Sequence, residues 1–275
     1  MNSRGIVVRG VTIEGAAASG IFIGNTHNFT VEGVIVRNAR ASSIYITEGS
    51  SSGNILRPQI FNSGSDGVAF LSRKSHGVQV KDMFLQSPKV KFCSTSRAFS
   101  VVGCSDIIMN DLHAEDSDAA SLYIAAESSV DSYGVSNVKV NGGVLVRSNR
   151  NRAVDHGSIL VYNGQPSEIL EDITINNIRS ENTNKMQPWE IGIITAGSGG
   201  IRRVEMRDII VTGGPSLALY SQAAPSTYRT ERIVQDGQPL PDSAGYAVTL
   251  TMVPSSAPPL ARTGRNLRVH QGEHE

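Results

Sequence analysis

The sequence predicts an all-β solenoid, a parallel β-helix of about eight rungs closed by an irregular C-terminal cap. Three observations carry that prediction. Two families of short segments alternate along most of the chain. Each segment alternates apolar with other residues, the period of a strand, and none has a helical period of 3.6. Gly and Asn recur between the segments, where the chain needs left-handed backbone to turn a corner. A unit of about 23 residues built this way cannot bury its own apolar face, but it can against copies of itself.

The elements follow in order. The first family reads IVVRGVTIEGA, FTVEGVIVRNA, NILRPQIFNSG, VQVKDMFLQSP, IIMNDLHAEDS, NVKVNGGVLVRS, DITINNIRSEN and RVEMRDIIVTG. The second reads GIFIGN, SIYITEG, GVAFLS, AFSVVG, SLYIAAE, SILVYNG, IGIITAG and LALYSQA. It recurs near Ile21, Ile44, Val68, Phe99, Leu122, Ile159, Ile191 and Leu217. Alternation points Ile21, Ile23, Ile44, Ile46, Val68, Phe70, Phe99, Val101, Leu122, Ile124, Ile159 and Val161 inward. Their neighbours Phe22, Tyr45, Ala69, Ser100, Tyr123 and Leu160 then point outward. Leucine-rich repeats share the period but need a Leu-x-x-Leu-x-Leu pattern that is absent.

Two domains are expected: the β-helix over residues 1–222 and a cap with a tail over 223–275. The segment AAPSTYRTERIVQDGQPLPDSAGYAV reads as a strand-poor cap folding back on the last rung. The Pro-, Ser- and charge-rich end after it reads as a mobile arm. The repeat starts within a few residues of Met1, and solenoid ends need covering. A preceding segment of a longer protein, or a partner chain, is therefore expected to cap the first rung.

Lys plus Arg and Asp plus Glu are 25 each, so the net charge is zero. A general nucleic-acid binder would carry a basic excess. No apolar run is long enough for a membrane helix. The first residues, MNSRGIVVRG, lack the layout of a signal peptide. Cys93 and Cys104 either pair or stay free, and two cysteines barely constrain the compartment. The six histidines make no metal spacing, and no Walker loop or dinucleotide fingerprint is present. NFT at Asn28 is a formal glycosylation sequon.

Equivalent residues on successive rungs lie about 4.8 Å apart. Phe22 and Tyr45, with Tyr123 farther along, would form an outward aromatic ladder suited to sugar rings, or a stack covered by a loop. Insertions are expected just before the aromatic strand, at Gln86–Arg97, at RSNRNRAVDHG and at ENTNKMQPWE. Loops of unequal length on one edge of a rigid scaffold would wall a groove. They bring Arg97, Arg150, Arg152, Asp155, His156 and Trp189 toward it.

Asp66 lies two positions before the inward Val68. Ser65-Asp66-Gly67 resembles the Asn-Thr-Asp-Gly motif of polygalacturonase-type glycoside hydrolases in the right-handed, pectin-lyase-like β-helix superfamily. Asp116-Ser117-Asp118 resembles their Asp-Asp pair, and Asp155-His156-Gly157 their Gly-His-Gly. The repeat covers about residues 4–222. The resemblance implies a polysaccharide-active enzyme, extracellular or at the cell surface. Asp66, Asp116 and Asp118 would do acid–base work supported by His156. Phe22, Tyr45, Arg73, Lys74, Arg97, Tyr123, Arg152, Asp155 and Trp189 would contact the substrate. Hydrolysis of this kind calls for no cofactor. A lyase or epimerase on a uronate polymer would instead need a base, with Ca²⁺ or arginines for the carboxylate. A tail-spike segment, an adhesin or a glycan-binding module would need no chemistry at all. Each aspartate also has an ordinary role open to it, as a turn residue bonding local backbone.

Overall fold

The computed structural model describes residues 2–196 and 200–244. Two sheets run the length of the molecule, one of eight short strands and one of sixteen strands. The short-sheet strands are Ile21–Gly24, Ile44–Thr47, Val68–Leu71, Phe99–Val102, Leu122–Ala126, Ile159–Asn163, Ile191–Thr195 and Leu219–Ser221. All are parallel, and the register stacks Ile21, Ile44, Val68, Phe99, Leu122, Ile159 and Ile191 in one column. The chain is therefore a parallel β-helix with the eight rungs expected. The column ends at Leu219, not at Leu217, which is exposed.

The inward residues of these strands and of the long sheet form one continuous core. The long sheet turns its corners on left-handed residues. One column is Asn38, Asn62, Phe92, Asp116, Arg147 and Asn182, all at φ between 51° and 67°. Asn and Asp tolerate that conformation best among residues with a Cβ. Side chains of this column bond along the axis, as Asn62 donates to Asn38 at 2.6 Å.

The parallel sheet continues past residue 222. Tyr228–Gln235 pairs parallel with Gly200–Thr212, and Gln238–Pro239 and Ser243–Ala244 fold back on it antiparallel. The expected tail lies outside the described residues. At the other end Ser3–Arg4, Val7–Arg9 and Thr12–Glu14 form the edge tier of the long sheet, with Val7 and Val11 exposed. Cys93 and Cys104 are both free and buried.

The first expected insertion is corrected. Lys89–Cys93 is an ordinary strand, paired with Gln59–Ser63 and with His113–Ser117. The extra length of that rung lies after the short strand, around the 3₁₀ turn Lys74–His76. A matching loop carries the turn Ser128–Val130. The segments around Arg147–Gly157 and Asn182–Glu190 do form loops before their short strands. Loops thus flank the short sheet on both edges and leave its outer face as the floor of a groove.

Candidate active site over the short sheet

The groove holds a cavity of about 260 Å³. Its floor is Tyr45, Ala69, Leu71, Ser100 and Val102; Asp66 and Arg97 stand on one wall, Glu127 and Val130 on the other. Asp66 is placed by the turn that enters Val68–Leu71. Gly67 follows because a Cβ there would meet the Ala98 carbonyl oxygen at 2.6 Å. The close approach of the two rungs brings Asp66 against the next turn. Oδ1 accepts from the Ser96 hydroxyl and from the Arg97 backbone N–H at 3.1 Å, and Oδ2 accepts from Ser100 Oγ at 2.6 Å. Ser96 and Ser100 are themselves buried.

Arg97 joins the two walls. Its Nε lies 3.3 Å from Asp66 Oδ1, an ion pair in which the N–H is not aligned for a hydrogen bond. Its Nη2 donates to Glu127 Oε1 at 3.4 Å. Burial alone would lower the guanidinium pKa, but the charges of Asp66, Tyr123 and Glu127 outweigh it and raise it. The Arg97 guanidinium sits 4.4 Å from the centre of the Tyr123 ring. His156 stacks with that ring at 5.4 Å and 11°. Tyr162 lies 6.5 Å from it. Burial, assisted by Arg97 and opposed by Asp66, pulls the His156 pKa down to about 4, so the imidazole is neutral above that pH. Its Nδ1 is buried with no partner among the described residues. Burial and then Glu127 push the Tyr123 phenol well above its ordinary value.

The other expected site residues separate into two groups. Phe22 is 55% exposed and meets Tyr45 edge-on at 5.6 Å, so the open aromatic ladder exists at this end. Tyr123 does not extend it. It is 3% exposed, because Arg97 and His156 pack against its ring, and Ala69, Ser100 and Leu160 are equally covered. Trp189 stacks on Tyr220 at 4.8 Å and lies across Gly192, where a Cβ would meet its Nε1 at 2.7 Å. Lys74 pairs with Glu168 at 2.7 Å and Asp131 at 3.7 Å, and the Glu168 contact raises its pKa. Arg73, Arg152 and Asp155 are exposed.

Asp116 and Asp118 are not brought to the cavity that Asp66 lines. Asp116 occupies the left-handed corner column at φ 61°, and Arg147 Nε donates to it at 2.7 Å. That hydrogen bond lowers its pKa. Asp118 accepts from the Thr95 N–H at 3.0 Å and from Arg150 Nη2 at 2.7 Å. Arg150 also lies 4.5 Å over the Phe92 ring. The three aspartates therefore divide between the groove and the outer corner. Glu127 lines the cavity and was not among the candidates that the sequence offered. The available signal was its place at the end of SLYIAAE, where a short strand leaves the floor.

No family model and no curated protein matches this sequence. Solved structures do. A catalytic domain of GH87 α-1,3-glucanase in complex with nigerose aligns at a TM-score of 0.64 and 15% identity, over 85% of this chain and 45% of that one. A GH87 α-1,3-glucanase catalytic domain carrying D1068A, in complex with tetrasaccharides, gives 0.60 and 15%, over 85% and 45%. A Yersinia enterocolitica family 28 exopolygalacturonase gives 0.42 and 11%, over 86% and 47%. At this identity the likeness to the glucanase domains is one of fold, the parallel β-helix. This β-helix spans less than half the length of the glucanase domains it matches.

Proposed function

We propose that this β-helix is a polysaccharide-active hydrolase that takes an extended glycan along the groove over its short sheet, outside the cell or at its surface. The observation that carries the reading is the pair Asp66 and Glu127 on opposite walls of one cavity. Contacts to a single guanidinium, at 3.3 Å and 3.4 Å, hold the two carboxylates close enough to flank one glycosidic bond, as glycoside hydrolysis requires of its acid and base. Asp66, which accepts on both oxygens, removes a proton from water as it attacks the anomeric carbon. Glu127, held by the longer contact, takes up a proton from solvent as the glycan displaces Arg97 from it, and gives that proton to the leaving oxygen as the glycosidic bond breaks. Tyr45 and Leu71, the floor residues left partly exposed, suit the apolar face of a sugar ring.

Charge narrows the substrate. One cation stands against two carboxylates in the cavity lining, which favours a neutral glycan over a uronate polymer. It also weakens the lyase alternative, because Arg97 and Lys74 are already engaged by acidic side chains. Non-catalytic glycan binding is the second reading. Arg97 ties up both carboxylates in the unliganded state, which favours it.

The test is digestion of a panel of neutral and acidic polysaccharides with reducing ends and unsaturated ends both followed. New reducing ends that fall about 100-fold or more in Asp66→Asn and in Glu127→Gln, but persist in Asp118→Asn, support the assignment. Unsaturated ends would replace hydrolysis by elimination. Binding without any product would leave the glycan-binding reading in its place.

A further inference from the structure

The groove floor is open over Tyr45 and Phe22 and is crossed by a wall farther along. Toward the first rung its floor is Tyr45 and then Phe22, which is 55% exposed. Toward the last rung the first obstacle is Arg97, whose guanidinium lies 4.4 Å from the Tyr123 ring. Tyr123 is in turn backed by His156 at 5.4 Å, with the two rings only 11° from parallel. Arg97, Tyr123 and His156 belong to three successive rungs, so the stack runs along the solenoid axis and rises from the floor as a bulkhead. Tyr123 itself keeps only 3% of its surface exposed, because the Arg97 guanidinium and the His156 ring lie against it. Farther on, Trp189 lies across Gly192 and against Tyr220.

The cavity in front of this wall holds about 260 Å³. That falls below the roughly 300–1,000 Å³ of sites for drug-sized ligands and suits one sugar residue. Asp66 and Glu127 both lie at the wall, and Arg97 touches each of them. A chain running through the groove would have to pass through the guanidinium and two stacked rings.

We propose that the glycan binds end-on, with its terminal residue against the Arg97–Tyr123–His156 wall and the rest of the chain leaving over Tyr45 and Phe22. Cleavage is then exo-type and releases short sugars of one length from one chain end. This rests on the hydrolytic reading of the same cavity. The wall is a specificity device, since Tyr123 and His156 act through Arg97 and not on the reacting atoms.

The experiment follows product size and solution viscosity together on a polysaccharide that the protein cleaves. It adds two oligosaccharides of that polymer, one blocked at the reducing end and one at the non-reducing end. The expected result is a single short product from the first time point and slow viscosity loss. Blocking one end should abolish turnover while blocking the other should not. A ladder of intermediate oligosaccharides with rapid viscosity loss, and cleavage of both blocked substrates, would overturn end-on binding and leave hydrolysis standing. Absence of any product from the whole panel would overturn the hydrolytic reading and this proposal with it. Tyr123→Ala with His156→Ala supplies the second arm. Loss of the wall's backing should broaden the product distribution, and the folded double variant retaining a single product would also count against the wall.

Discussion

Asp66 and Asp116 are both acids at turns of the same solenoid, and they have opposite surroundings. Asp66 faces the groove, is 7% exposed, and has hydroxyls and a backbone amide bound to its two oxygens. Asp116 sits on the outer corner, where it adopts left-handed backbone and pairs with Arg147, whose side chain is 44% exposed. The difference is one of position within the turn. The residue two places before an inward strand residue is turned onto the next rung, whereas the residue at the corner is turned outward, where the half-exposed Arg147 pairs with it. A buried acceptor is expensive to leave unsatisfied, and an exposed pair is worth little. Chemistry needs the first environment; a corner needs only the backbone preference of Asp or Asn.

The largest effect should come from Asp66→Ala. It leaves the Ser96 and Ser100 hydroxyls and the Arg97 guanidinium without their acceptor inside a closed wall. Breaking a buried pair from one side costs about 3–5 kcal/mol. Urea unfolding of Asp66→Ala should show a loss of that order, and Asp66→Asn, which keeps the shape, a smaller one. A loss under about 1 kcal/mol for the alanine variant would mean that Asp66 is no better placed than a corner residue.

Two other buried groups sharpen the same contrast through pH, with opposite signs. His156 has its pKa lowered to about 4 by burial, so the unfolded chain, near the ordinary value of 6.5, takes up a proton first as the pH falls. Stability is lost between about pH 6.5 and 4, and His156→Phe should flatten that part of the profile by on the order of 2 kcal/mol. Glu190 is fully buried and accepts from Ser180 Oγ at 2.6 Å and Thr183 Oγ1 at 2.8 Å. Burial raises its pKa, with those hydroxyls opposing. Stability is then present at low pH and declines as the pH rises above the unfolded value near 4.5. Glu190→Gln should raise the melting temperature at neutral pH and leave it unchanged at pH 4. An unchanged neutral melting temperature would show that the network holds the ionised form without cost.

The fold was legible because burial writes itself into the sequence every second residue. Ile21, Ile44, Val68, Phe99, Leu122, Ile159 and Ile191 stack in the register that their spacing predicted. The last rung was misplaced by two residues because Leu217 and Leu219 offer the same alternation. Asp66 was legible for the same reason, being tied by two positions to an inward strand residue. The rest of the site was not. Glu127 meets Arg97 across the width of the sheet, from a loop on the opposite edge, and no spacing along the chain encodes that approach. The cover on Tyr123 was invisible too, since alternation tells which side a ring faces but not what packs over it. Gln86–Arg97 reads as an insertion in the sequence because a rung's extra length, which lies around Lys74–His76, cannot be placed from the step between rungs alone.

The smallest effect is expected at the corner. Asp116→Asn removes the charge that Arg147 pairs with and keeps a residue suited to φ 61°. The neighbouring rungs already use asparagine in the same column, at Asn38 and Asn62. An exposed ion pair contributes about 0–1 kcal/mol, and added salt screens it. Asp116→Asn should therefore stay within about 1 kcal/mol of the parent in low salt and converge with it near 1 M, where the screening length is about 3 Å. It should also keep full activity on any glycan the protein cleaves. Asp116→Val is the control for backbone, since a β-branched residue is strained at positive φ, and it should cost more than the asparagine variant although neither carries the charge. If the two variants lose the same stability and both lose turnover, the carboxylate itself matters at this corner, and the division between groove and corner would have to be redrawn around Asp116.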